Sequence, residues 1–240
     1  MATFVLVHGG GHGGWCYQRV ARLLRADGHD VYTPTLTGLG ERSHLLRPGI
    51  DLDTHITDVV NVLRFEGLHD VLLVGHSYGG MVITGVGDRA AERIAGLVYL
   101  DAANPVNGQS LVDVAGPMMN AARQLGEVVD GIELVLLPTP ELGRFYGVTD
   151  DGDVAWMDDK LTGHPWACFE QPLRLEHEDA LSAIPQFHIV CTEHVATRDQ
   201  ELMAKARAEN RYWEIDTGHD LMITEPSLVA AALGEIAAAT

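Results

Sequence analysis

Short apolar runs recur along this chain at intervals wide enough to hold a helix between them. Phe4 to Val7, the segment around Val31, Val71 to Val74, Leu97 to Leu100, Phe187 to Val190 and Tyr212 to Ile215 each have strand length. Between most of them the period becomes helical. Gln18 to Ala26 places Val20, Leu23 and Leu24 on one face, and Ile56 to Phe65 does the same with Ile56, Val59, Val60 and Leu63, behind Thr54 as N-cap. Continuous apolar strands are buried on both faces, and the helices that alternate with them supply the cover. The pattern predicts an α/β fold, a mainly parallel sheet of about six strands flanked by helices, in a single domain over residues 1–240.

Between Leu100 and Phe187 the alternation fails. Pro105, Pro117, Pro138, Pro140, Pro165 and Pro172 punctuate short helical patterns there, and a structureless connection of roughly 75 residues is foreign to a compact domain. An insertion over about 105–182 is expected instead, forming a mostly helical cap above the carboxyl ends of the strands, where open α/β sheets bind ligands. Met118, Met119, Leu134, Leu136, Leu137, Phe145, Trp156, Met157, Trp166 and Phe169 belong to it. Most should pack the cap itself and about a third should line a substrate pocket, the usual balance for a ligand-covering lid.

Composition narrows the classes. With 240 residues, 46% of them hydrophobic, the chain can bury one substantial core. Its 34 acidic against 16 basic residues give a formal charge of −18, which repels nucleic acid and anionic membrane. The same charge disfavours acidic carrier proteins as substrates, so a carrier-dependent thioesterase is a poor fit. The first apolar run lacks a basic flank and is far too short for a signal or membrane segment, so a soluble, cytoplasmic protein is expected. Cys16, Cys168 and Cys191 are scattered without C-x-x-C spacing, which predicts reduced packing residues and neither disulfide nor metal site. The expected partner is a small-molecule substrate, with no cofactor; a homodimer is compatible with the chain.

One motif carries chemistry. Gly75-His76-Ser77-Tyr78-Gly79 follows the run Asp70 to Val74 and precedes the helix-like Met81-Val82-Ile83. This is a nucleophile elbow, in which glycines two residues either side let a buried strand turn sharply into a helix and leave the serine Oγ exposed. A serine hydroxyl is a weak nucleophile, so a histidine base, an acid that fixes the histidine's tautomer, and donors for the developing oxyanion are needed. Gly218-His219-Asp220 lies between the last strand and the terminal helix Pro226 to Ala238, where this chain order puts the base, His219. His8-Gly9-Gly10-Gly11-His12-Gly13-Gly14-Trp15 follows the first strand. Its Gly10 N–H, with the Tyr78 N–H, can form an oxyanion hole, each such donor being worth roughly 2.7 to 4 kcal/mol in serine hydrolases. The loop lacks the lysine and spacing of a phosphate-binding loop. His8, His12 and His76 are read as loop-holding hydrogen-bonders; His29, His55, His69, His164, His177 and His188 carry no expected role.

These motifs, with Thr33 to Arg42 and Val190-Cys191-Thr192-Glu193, resemble the α/β-hydrolase branch of plant hydroxynitrile lyases, plant methylesterases and bacterial esterase-like relatives. The resemblance spans nearly the whole chain. It implies the α/β-hydrolase fold, with Ser77 as nucleophile, His219 as base, and Gly10 and Tyr78 as oxyanion donors. Two departures matter. The lyases carry a threonine after the first histidine and a lysine after the catalytic one, which stabilises departing cyanide; Gly9 and Asp220 stand here instead. An acidic residue opposes a cyanide anion, which argues against lyase activity.

The second departure is the acid. The family's Cys-Thr-Glu-Asp reads Cys191-Thr192-Glu193-His194, and losing the acid of a triad lowers kcat by about 10⁴. Three carboxylates at strand ends are candidates. Asp101 ends the strand after the nucleophile's and is favoured, on the likeness to the acid-bearing strand of some haloalkane dehalogenases. Glu193 and Asp199 are alternatives on the loop after Val190, and a site with no functional acid is a fourth. The leading reading is a serine hydrolase that cleaves a small apolar or aromatic carboxylic ester through an acyl-enzyme. A thioesterase or acyltransferase using the same residues, a cofactor-free oxygenase or cyclase, and a non-catalytic small-ligand receptor are the other readings.

Overall fold

A computed structural model describes residues 1–139 and 142–240. Six parallel strands form the central sheet: β1 (Thr3–Val7), β2 (Asp30–Tyr32), β3 (Val71–His76), β4 (Ile94–Leu100), then β8 (Gln186–Cys191) and β9 (Tyr212–Ile215), in the spatial order β2-β1-β3-β4-β8-β9. The expected α/β-hydrolase architecture is the one found. β3 and β4 lie at the centre, and every residue from Val71 to His76 is buried, as the unbroken apolar run at Val71 to Val74 requires.

Helices α1 (Gln18–Ala26), α2 (Leu52–Phe65) and α3 (Gly79–Arg89) cover the sheet. α1 buries Val20, Ala21 and Leu24 but leaves Leu23 exposed, because one residue step of about 100° turns Leu23 off the face its neighbours share. Asp51, and not Thr54, caps α2: its side chain accepts from the Thr54 N–H at 2.9 Å, which puts the helix start at Leu52. α3 is buried over nearly its whole length.

The stretch between β4 and β8 holds α4 (Leu111–Gln124), α5 (Leu142–Phe145) and α6 (Asp151–Asp158). It also holds a three-stranded antiparallel sheet of β5 (Glu127–Val129), β6 (Ile132–Val135) and β7 (His164–Pro165), which the expectation of a mostly helical cap did not include. A capping box at Ser110 starts α4, and Gly116, at φ 33° beside Pro117, kinks it. Pro140 lies outside the described residues. Among the described residues no helix is long and apolar enough to cross a membrane.

Candidate active site

Ser77 and Asp101 occupy equivalent places on neighbouring strands. Each is the first residue past its strand, each has a left-handed backbone (φ 54° and 43°), and the strands pair His76 with Leu100 in register. The two turns are tied together: the Ser77 N–H donates to Leu100 O at 3.4 Å and the Ala103 N–H to Ser77 O at 3.1 Å. A non-glycine residue held there stores of order 1–3 kcal/mol of strain, which the surrounding structure must over-determine. The glycines of the elbow are required sterically, since a Cβ on Gly75 would lie 2.5 Å from Gly79 O and one on Gly79 would lie 2.7 Å from Val7 O.

His219 Nδ1 lies 2.5 Å from Asp101 Oδ2. A carboxylate oxygen only accepts, so Nδ1 carries the proton and Nε2 is left with its lone pair, the tautomer a general base needs. Asp101 is buried, which alone would push its carboxyl pKa up. Hydrogen bonds from His194 (2.7 Å) and His219, and the Arg198 guanidinium 2.5 Å from its Oδ1, outweigh burial and hold it well below the usual carboxylate range. Cys191, at the end of β8, adds its N–H and thiol at 3.4 and 3.3 Å.

The other proposed acids lie elsewhere. Glu193 is exposed and lines a separate acidic pocket beside Asp150 and Asp216. Asp199 is exposed and caps helix Gln200–Ala208 by accepting from the Glu201 and Leu202 N–H groups.

The glycine loop is fixed from behind. His8 Nδ1 donates to Gly9 O at 2.9 Å while its Nε2 accepts from the Leu36 N–H. A trans peptide holds its C=O and N–H on opposite sides, so anchoring Gly9 O on His8 turns the Gly10 N–H the other way, and Gly10 lines the cavity with Ser77 and Tyr78. Gly10 O is held by His12 Nδ1 at 2.7 Å and by the Tyr146 hydroxyl at 3.2 Å. Gly11 donates to His164 Nδ1 and accepts from the Thr162 N–H, so three cap residues grip this loop. Tyr78 caps the N-terminus of α3, where backbone N–H groups have no intrahelical partner.

A second buried group joins these loops. Asp220 Oδ2 lies 2.9 Å from His12 Nε2, and since the other nitrogen of His12 faces the Gly10 carbonyl, both nitrogens donate and the ring is charged. Burial alone would push the His12 pKa down, but Asp220 outweighs it and holds the pKa above its ordinary value. His76 donates Nε2–H to His219 O at 2.9 Å, with burial pushing its pKa down to about 3, so it is neutral. The expectation that Asp220 opposes a departing cyanide requires it to face the substrate. The structure turns it onto His12, away from the cavity lining. Gly9 is tighter still: a Cβ there would sit 2.8 Å from Ser77 Cβ, leaving no room for the lyases' threonine with the backbone as it stands.

The cavity measures about 680 Å³ and is lined by Ser77, His219, Asp101, Gly10 and Tyr78 beneath cap residues. Five of the apolar residues assigned to the cap, Met118, Met119, Leu136, Phe145 and Phe169, reach it, somewhat more than the expected third. Two side-chain groups have metal-ligand proximity among the described residues. In Asp101–His194–His219 the donor atoms are already spent on one another, and in His55–His164–Cys168 both His55 nitrogens are engaged, by Thr37 O and the Tyr78 hydroxyl.

Residues 4–232 match the model of the Alpha/beta hydrolase family. The chain belongs to that family. It is 41% identical to the carbendazim hydrolyzing esterase of Nocardioides sp. (strain SG-4G) over 98% of this chain and 100% of that one. An extracellular α/β-hydrolase from a Paenibacillus species, described as sharing structural and functional homology with tobacco salicylic acid binding protein 2, superposes with a TM-score of 0.79 at 25% identity, covering 98% of each chain. An Arabidopsis methylesterase covers 100% of both chains at a TM-score of 0.78 and 24% identity, a likeness of fold. This α/β-hydrolase is therefore an esterase. The sequence signal for its lost family acid was plain at His194. The signal for a carboxylate in its place was only position, one residue past the strand next to the nucleophile's.

Proposed function

We propose that this α/β-hydrolase cleaves small carboxylic esters with an apolar or aromatic acyl group through an acyl-enzyme, and that carbamate esters fall within that class. Ser77 attacks the carbonyl carbon as His219 Nε2 takes its proton; the tetrahedral oxyanion sits against the Gly10 and Tyr78 N–H groups. Its collapse expels the alcohol, to which His219 returns the proton, and water then releases the acid by the same steps in reverse. Asp101 holds the His219 tautomer and stabilises the imidazolium. The observation that carries this reading is the 2.5 Å bond from His219 to Asp101 on the strand beside the elbow. The apolar cavity and a full-length relative named as a carbendazim hydrolyzing esterase support the substrate class.

A fluorophosphonate probe tests the mechanism. Wild-type enzyme should label stoichiometrically and hydrolyse a methyl aryl ester; Ser77→Ala should lose the label and about 10⁶ in kcat. Turnover that survives Ser77→Ala sinks the acyl-enzyme.

A further inference from the structure

His194 is a second hydrogen-bond donor to Asp101. Its Nδ1 lies 2.7 Å from Asp101 Oδ2, the oxygen that also receives His219. With Nδ1–H committed to the carboxylate, the neutral ring has only an acceptor left, at Nε2. Unlike the buried histidines, this side chain is 35% exposed. It lines the cavity that holds Ser77, and its ring centroid lies 5.1 Å from that of His219. The hydrolysis as derived gives Nε2 of His194 nothing to do.

An acceptor that substrate covers must find a donor or lose its water without compensation. Next to His219, that donor has to lie within a few bonds of the scissile carbonyl. Apolar acyl groups joined through carbon offer none, whereas an N-substituted carbamate carries an N–H directly on the carbonyl carbon. We infer that His194 is a specificity-determining residue whose Nε2 accepts a hydrogen bond from the carbamate N–H, which makes N-monosubstituted carbamate esters the preferred substrates of this enzyme. The inference rests on the serine-esterase reading above. Asp101 thus orients two imidazoles, one for the serine proton and one for the substrate.

The test uses two near-isosteric esters, methyl N-phenylcarbamate and methyl phenylacetate, in which a methylene replaces the N–H. His194→Ala should lower kcat/KM on both esters through the lost bond to Asp101, and about 10- to 100-fold further on the carbamate, since one unpaired hydrogen-bonding group sets the difference. His194→Gln, which keeps an acceptor, should recover part of the carbamate rate. Equal losses on the two esters would mean that His194 acts only through Asp101, and no loss on either would mean that it does not touch substrate; both results overturn the inference. Fluorophosphonate labelling of Ser77, followed in the same variants, separates the two claims. Labelled variants that discriminate the esters as wild type does refute the role of His194 alone, whereas a wild type that neither labels nor turns over either ester refutes the esterase mechanism beneath it.

Discussion

Two carboxylate–imidazole assemblies lie on either side of His219, and they differ in what can reach them. Asp101 binds His219 and His194, whose side chains are 16% and 35% exposed into or beside the cavity. Asp220 binds His12 and lies 3.6 Å from His76, and none of these three side chains is more than 1% exposed. Both aspartates are held below the ordinary carboxylate range against the opposing effect of burial, Asp101 mainly by His194 and His219 and Asp220 mainly by His12. Ionisation therefore does not separate a reactive pair from a structural one. The difference is the free nitrogen. His219 spends one nitrogen on its aspartate and keeps the other, whereas His12 spends both, one on Asp220 and one on the Gly10 carbonyl, and has nothing left with which to take a proton.

The contrast breaks first at the open pair. Asp101→Asn should lower kcat by about 10⁴ on any ester the enzyme turns over, since the amide no longer enforces the tautomer of His219. Steady-state kinetics check this, and a loss under tenfold would remove Asp101 from the proposed mechanism. The sealed pair should answer in stability. Asp220→Asn leaves charged, buried His12 without its counter-ion and should destabilise the fold by about 3–5 kcal/mol near neutral pH. Urea denaturation measures this, and kcat at a temperature where the variant is folded should change by less than about tenfold.

The pH dependence sharpens the same contrast. His12 has a raised folded pKa, so its contribution is complete below about pH 6.5, the unfolded value, and is lost as pH rises through the folded one. Asp220, with a lowered folded pKa, contributes above about pH 4 and loses that contribution as pH falls through its folded value. The stability gap between wild type and Asp220→Asn should thus narrow on going alkaline from about pH 6.5, as denaturation midpoints across a pH series would record. The smallest effect belongs to Glu193→Gln, which should leave kcat/KM within about twofold, because this exposed carboxylate borders a different pocket.

The inner strands of the main sheet were legible because they are buried on both faces and so write themselves as apolar runs. The cap sheet was not. Glu127 to Val129 is exposed throughout and β7 is two residues ending in Pro165, so neither has the length or alternation by which a strand is recognised. Ser77 and His219 were legible from motifs in which chain order and local geometry coincide. Asp101 was legible only as a position, and its partners Arg198 and His194 come from a loop 93 or more residues away. Asp220 shows the limit most clearly: adjacency to His219 in sequence says nothing about which way its side chain points, and it points into a closed pocket that only the packed loops create.

The hydrogen bonds that tie Tyr146, Thr162 and His164 to the Gly10–Gly11 loop make the cap a structural member of the sheet's own machinery. A lid that merely covers its cavity can be exchanged between homologues as a module, its junctions being the main constraint. Here a transplanted cap that lacks the equivalents of these residues would leave the proposed oxyanion loop without these braces, and a graft meant to alter substrate range should also slow the proposed chemistry on every substrate. New specificity in this scaffold is more accessible through the walls of the existing cap, at Met118, Met119 and Phe145, than through its replacement.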